Sequence, residues 1–217
     1  MKSSACMVLT ALATLAACGG VEPEVTIEPP SPADTVAGQA AGASEQTQMP
    51  VISSEGIGLA RRGMSLGELR HALPGSYVMG APDSAFMVDV VAIPVSSGAD
   101  TLYRLILPAG EPVDDSARPH FVMTMHPGVR TAEGVAPGMT LADAARIYGE
   151  PVLSYSVHDE SREYAEFPRQ PERVNFRVLP AGDDTFAGTY TTSDEYNTTD
   201  EYAGDARIWM IFVDLFR

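Results

Sequence analysis

The stretch Pro137-Gly138-Met139-Thr140-Leu141-Ala142-Asp143-Ala144-Ala145-Arg146-Ile147-Tyr148-Gly149-Glu150-Pro151 constrains the fold most, because it specifies both ends of one short helix. Thr140 is the expected N-cap, its hydroxyl accepting from a free backbone N–H of the first turn. Asp143, three residues on, can reach back in a capping box, and Met139 can staple against Ala144. Leu141, Ala144, Ala145 and Tyr148 fall at i, i+3, i+4 and i+7, which makes one apolar stripe. Gly149 suits the left-handed position after the last turn, and Pro151 forbids continuation.

The element occurs twice. Gly63-Met64-Ser65-Leu66-Gly67-Glu68-Leu69-Arg70-His71-Ala72-Leu73-Pro74-Gly75 aligns with it without a gap. Ser65 falls on Thr140, Glu68 on Asp143, and Leu66, Leu69 and Leu73 on Leu141, Ala144 and Tyr148, each pair 75 residues apart. Similar lead-in segments precede both, Gly56-Ile57-Gly58 and Gly134-Val135-Ala136. Punctuation repeated at a fixed offset predicts two copies of one small module.

Runs with strand character follow each helix. After the first come Phe86 to Val95, Thr101 to Leu107 and Phe121 to Met125. After the second come Val152 to Val157, Arg162 to Phe167 and Val174 to Leu179, the last alternating apolar and polar residues. A polar stretch, Gly182 to Gly204, separates these from Arg207 to Leu215. That final run is nearly all apolar, which predicts a strand covered on both faces and placed centrally or at the module interface. The expected class is α+β: two tandem modules over residues 55–130 and 131–217, each a short helix packed on an antiparallel sheet.

The N-terminus speaks to location. Lys2 is followed by an apolar run from Met7 to Ala17, too short to span a bilayer and the right length for a signal-peptide core. The run ends Leu15-Ala16-Ala17-Cys18-Gly19, which resembles the lipobox of bacterial lipoproteins. That resemblance implies removal of residues 1–17 and lipidation of Cys18, with acyl chains anchoring the protein to a membrane. The residue after Cys18 is Gly rather than Asp, which by the same resemblance favours the outer membrane, facing the periplasm. Cys6 is the other cysteine and leaves with the signal, so the mature chain has no thiol for disulfides, metal or catalysis. Residues 18–54 are Pro, Ala, Ser, Thr, Gly and Glu in the main and read as a disordered tether.

The helix motif Pro-Gly-Met-Thr to Gly-x-Pro, followed by aromatic-bearing strands, resembles the small outer-membrane assembly lipoproteins of the SmpA/OmlA type. Tandem copies of such a module also resemble the β-lactamase-inhibitor-protein architecture. The folded part as a whole resembles uncharacterised bacterial lipoproteins with a Gly-Ile-Gly…Gly-Met-Thr opening and a Ser-Arg-Glu-Tyr strand, here Ser161 to Tyr164. These resemblances imply a structural helix motif without catalytic residues and a protein-binding task. Two copies and a long acidic insertion depart from the single-module pattern, so no partner carries over.

The chain has 29 Asp and Glu against 14 Lys and Arg, a net charge of −15, which argues against nucleic acid as a partner. Ser-x-x-Lys and His-Glu-x-x-His do not occur, and the Gly-x-Ser-x-Gly letters at Gly63-Met64-Ser65-Leu66-Gly67 fall on Ser65, the expected cap of the first helix. His120 and His126 flank Met123 and Met125, a combination able to bind copper. Alternation puts the methionines opposite the histidines, where they read as core. Asp194, Asn197 and Asp200 are oxygen donors that could hold calcium, although their spacing is not that of an EF-hand. A solvated acidic loop is the simpler account.

The function expected is therefore a non-enzymatic, lipid-anchored envelope lipoprotein that binds another envelope protein, without a cofactor. The alternatives are a small-ligand or calcium-binding lipoprotein and, third, a hydrolase without a recognised motif. Arg162, Tyr164 and Glu166 share one strand face and, with Tyr196 and Tyr202 beside them, form the candidate contact surface.

Overall fold

Helix α1 covers Leu66–Ala72 and helix α2 Leu141–Tyr148. In α1 the Ser65 hydroxyl accepts from the Glu68 N–H, and the Glu68 carboxylate accepts from the Ser65 N–H at 2.7 Å, so the capping box is closed. In α2 the Thr140 hydroxyl accepts from the Asp143 N–H at 3.1 Å and donates to the Asp143 carboxylate at 2.7 Å. Aspartate is one methylene shorter than glutamate. Asp143 meets the cap's hydroxyl rather than its backbone N–H, and also pairs with Arg146. Leu141, Ala144, Ala145 and Tyr148 are all buried, as their stripe predicts. Gly149 ends α2 with φ 91° and ψ 167°, a positive φ in extended rather than left-handed helical backbone. A Cβ there would stand 2.6 Å from the Pro168 ring.

The computed structural model describes residues 48–87, 89–180, 185–192 and 194–216. The expected signal peptide, Cys18 and the tether up to residue 47 lie outside the described residues. Folded chain begins before the expected boundary at 55. Strands β1 (Val51–Ser53), β2 (Gly56–Ile57) and β3 (Ala60–Arg61) form a small sheet with β8 (Arg130–Thr131) in the order β3-β2-β1-β8. Ile52 and Ile57 face each other across β1 and β2 and are buried in the core. Strand β8 straddles the expected module boundary at 130/131 and pairs in parallel with β1.

The other strands are β4 (Tyr77–Met79), β5 (Val90–Ser97), β6 (Asp100–Pro108), β7 (Phe121–Thr124), β9 (Val152–Ser156), β10 (Arg162–Glu166), β11 (Val174–Leu179), β12 (Tyr196–Thr199) and β13 (Arg207–Asp214). They form one antiparallel sheet in the order β12-β9-β10-β11-β13-β7-β6-β5-β4. The protein is thus α+β and dominated by sheet, and the expected pair of separate sheets is a single nine-stranded one. From the outer edge inward, the first half contributes β4, β5, β6 and β7. The second contributes β9, β10, β11 and β13, with β12 added outside. The halves meet where β13 pairs with β7. The continuous apolar run Ile208 to Val213 therefore lies centrally, between β11 and β7.

Both helices cover the same face of this sheet. Leu66 and Leu69 of α1 and Leu141, Ala144 and Tyr148 of α2 pack in one core with Ile93, Leu105, Val122, Phe176, Ile211 and Val213. Burying such side chains contributes about 1.5–3 kcal/mol each relative to exposure, which is what holds helices of only seven and eight residues in place. The Tyr148 hydroxyl, at the inner end of α2, lies 2.6 Å from the Glu133 carboxylate and 2.7 Å from the Thr131 hydroxyl. That ties α2 to the segment leading into it. The opposite face of the sheet has no helix on it among the described residues.

Candidate functional site

Strand alternation decides what this second face presents. On β10, Glu163 and Ala165 point to the core, and Arg162, Tyr164 and Glu166 to the open face. Tyr164 stands opposite Arg177 of β11, and Arg177 opposite Met210 of β13. A second row crosses the seam: Phe212 of β13 is opposite Met123 of β7, which is opposite Arg104 of β6. These rows put an apolar strip in the centre, where Ala92, Ile106, Met123 and Met210 are buried together with Phe86, Met87, Val90 and Phe212 packed around them.

A cleft of about 250 Å³ opens there. Its apolar part is formed by Met87, Val90, Ile106, Phe121, Met123, Met210 and Phe212, and its polar wall by Asp159, Arg162, Tyr164 and Arg177. The wall is cross-linked. The Asp159 carboxylate accepts from the Arg162 guanidinium at 3.1 Å and from the Tyr164 hydroxyl at 3.0 Å, and Glu160 pairs with Arg162 as well. Burial, reinforced by the Asp159 carboxylate, pushes the Tyr164 hydroxyl up to about 12. Asp159 lies in a turn of 3-10 helix, Val157–Asp159, and Glu160 and Ser161 after it both have positive φ, 52° and 54°. This tight connection between β9 and β10 brings Asp159 back over β10.

Arg177 is placed differently. Its guanidinium lies 4.6 Å from the centre of the Trp209 ring, a cation–π geometry. Its Nε is buried and has no hydrogen-bond partner among the described residues. Desolvation lowers its affinity for a proton. The register between β11 and β13 shifts after Arg177, whose partner is Met210, while Val178 pairs with Ile208. Trp209 is the extra residue of this bulge. A bulge re-aims side chains, and here the core face of β13 skips from Ile208 to Ile211.

The proposed contact residues divide. Tyr196 lies opposite Ser156, which lies opposite Arg162, so Tyr196 shares the open face two strands away, roughly 10 Å. It is 63 % exposed. Glu166 shares that face but is exposed at the end of β10, outside the cleft. Tyr202 departs from the expected surface: its ring packs against the main core, and its hydroxyl donates to Glu150 at 2.9 Å, just beyond α2. Tyr196 begins a strand, β12, within a stretch expected to be loop.

The oxygen-donor candidates do not converge. Asn197 is buried, and its side chain closes a turn: its carbonyl accepts from the Thr192 hydroxyl and the Asp194 N–H, and its amide donates to the Asp194 carbonyl. Asp194 and Asp200 are exposed. Among the described residues no three His, Cys, Asp or Glu side chains are grouped to hold a metal ion. His120 packs on Phe216, while His126 accepts from the Gly128 N–H, so the two are engaged separately. Met123 is buried, as expected, with Met125 packed against its cluster; that cluster lies on the cleft side of β7, because Val122 and Thr124 are the residues that face the helices.

The cleft residues Arg177, Met210 and Phe212 were not singled out from the sequence. The alternation of Asn175, Arg177 and Leu179 against Val174, Phe176 and Val178 does place Arg177 on the face away from the core. Its meeting with Tyr164 depends on strand order, which alternation does not give. Comparison of the chain with protein-family models, with curated proteins and with solved structures finds no match.

Proposed function

We propose that this protein is a lipid-anchored, non-enzymatic lipoprotein of the cell envelope that holds another envelope protein on its open sheet face, and that its two halves are copies of one helix-and-sheet module. The observation that carries the binding reading is that face itself. It is a broad antiparallel surface with an apolar centre and a rim that presents Arg162, Tyr164 and Tyr196. Arg and Tyr around an apolar centre are the composition that dominates interface energetics. The duplication reading rests on the matched caps Ser65 and Thr140 and on the matched succession, in each half, of a helix and then strands that add inward toward the β7–β13 seam. The anchor reading rests on Leu15-Ala16-Ala17-Cys18, and the reading of an outer-membrane protein facing the periplasm rests on Gly19 after it. The calcium alternative has less support, since Asn197 is committed to its own turn.

A photo-crosslinking amino acid placed at Phe121 or Tyr196 in intact cells should give a discrete protein adduct. The same group at Arg146, on the exposed side of α2, should not. Equal adducts from both faces, or none from the open one, would overturn the reading. Cys18→Ser should release the protein from the membrane fraction in detergent-free buffer, and continued co-fractionation with the outer membrane would rule out the lipid anchor.

A further inference from the structure

We propose that the cleft at the centre of the open face binds a single-chain carboxylate amphiphile, with its carboxylate on Arg177 and its chain across Met123 and Met210. The inference goes beyond the protein-partner reading and does not require it.

The polar wall selects the charge. Two arginines border the cleft, and among the described residues only Arg162 of the two is in an ion pair. Arg162 is held by Asp159 and Glu160. The Asp159 carboxylate also receives the Tyr164 hydroxyl, so it offers little to an incoming cation. Among the described residues Arg177 has no carboxylate within ion-pair distance, and its buried Nε has no acceptor. This occurs in a chain with about two acidic residues for every basic one, 29 against 14. A planar guanidinium on an aromatic ring is well suited to a carboxylate, which it can meet through two parallel hydrogen bonds.

The floor selects the rest of the ligand. Ile106, Met123 and Met210 are 2–4 % exposed, so the base of the cleft is desolvated. Methionine adapts its unbranched chain to irregular apolar guests. A volume of about 250 Å³ lies just below the ~300–1,000 Å³ usual for drug-sized ligands. It therefore suits a head group with one short chain and excludes a two-chain lipid. The bulge at Trp209 is what allows one strand to present both the ring that supports Arg177 and the methionine of the floor.

The test uses the full-length chain carrying Cys18→Ser, so that no detergent competes. Trp209 is the sole tryptophan and stacks on Arg177, so its fluorescence reports on the head-group site. Octanoate and decanoate, below their micelle concentrations, should each give a saturable change. Affinity should rise roughly fourfold per added CH₂ until the cleft is full. Decanol and decylamine should bind at least tenfold more weakly than decanoate. By calorimetry, Arg177→Gln should remove the preference for decanoate over decanol while the far-UV circular dichroism spectrum is unchanged. Equal binding of decanol and decanoate by the unmodified cleft would overturn the proposal even if Arg177→Gln failed to fold. Absence of saturable binding would overturn it too, and would leave the cleft to a protein side chain, which the crosslinking from Phe121 detects independently.

Discussion

Phe212 stands directly opposite Met123 across the β13–β7 pair, so the seam that joins the two halves of the sheet is also the floor of the cleft. The core side of the same seam holds Ile211, fully buried beside Thr124. Each half thus completes the other's sheet and core, and neither is expected to melt alone. Ile211→Ala should cost about 2–5 kcal/mol and shift one cooperative urea transition. Two resolved transitions would show that the halves are independent.

The two caps offer a matched pair of perturbations. Ser65→Ala and Thr140→Ala should each cost on the order of 1 kcal/mol. Ser65→Ala should be the more costly, because it breaks a closed capping box, whereas the Asp143 side chain does not satisfy a backbone donor of the cap. The sites are far apart in sequence and share no hydrogen-bond partner, so the double variant should show additive losses in denaturant melts.

Glu163 is a buried carboxylate on the core face of β10, 4 % exposed. It accepts 2.7 Å hydrogen bonds from the Ala187 and Gly188 N–H groups and from the Tyr190 hydroxyl, and so fastens residues 187–190 to the sheet. Burial, with the Glu163 carboxylate beside it, raises the Tyr190 pKa. Glu163→Ala strands three donors and should cost roughly 2–4 kcal/mol. Limited proteolysis should then cut near residue 188 before the rest of the chain. Glu163→Gln keeps acceptor capacity and should protect that segment better than Ala does.

Tyr164 gives the fold an alkaline limit. Its pKa is raised from 10 to about 12 by burial first and by the Asp159 hydrogen bond second. The folded state favours the neutral phenol, so this stabilisation is complete below about pH 10 and is lost as pH rises from 10 to 12. Tyr164→Phe should flatten the fall of melting temperature between pH 10 and 12. From the sequence alone, replacing Arg162 and Tyr164 together by Ala should leave the melting temperature nearly unchanged. With Tyr164 half-buried, bonded to Asp159 and edge-on to Phe212, the double variant should melt several degrees lower while remaining folded.

Local chemistry was enough to determine the helices. Ser65 and Thr140 can cap, and Gly149 and Pro151 can stop, because these acts involve neighbours within four residues. Periodicity likewise determined most long strands and which side of each is buried, so Arg162, Tyr164 and Glu166 could be put on one face from spacing alone. The continuous apolar run of β13 determined its central position, since only a strand flanked on both sides buries so much. What tertiary structure decided was the company each strand keeps. The pairing of β7 with β13 merges two expected sheets into one, and no residue near Met123 indicates that Phe212 will face it. The short strands β1, β2, β3 and β8 have too few residues for a period, and they exist because residues 130–131 return beside 51–52. The bulge at Trp209 is invisible in an apolar run, because it is set by the register with β11. The cleft follows from these pairings: Arg162, Arg177 and Met210 meet across three strands, and hydrogen bonds between strands, not spacing along the chain, bring them together.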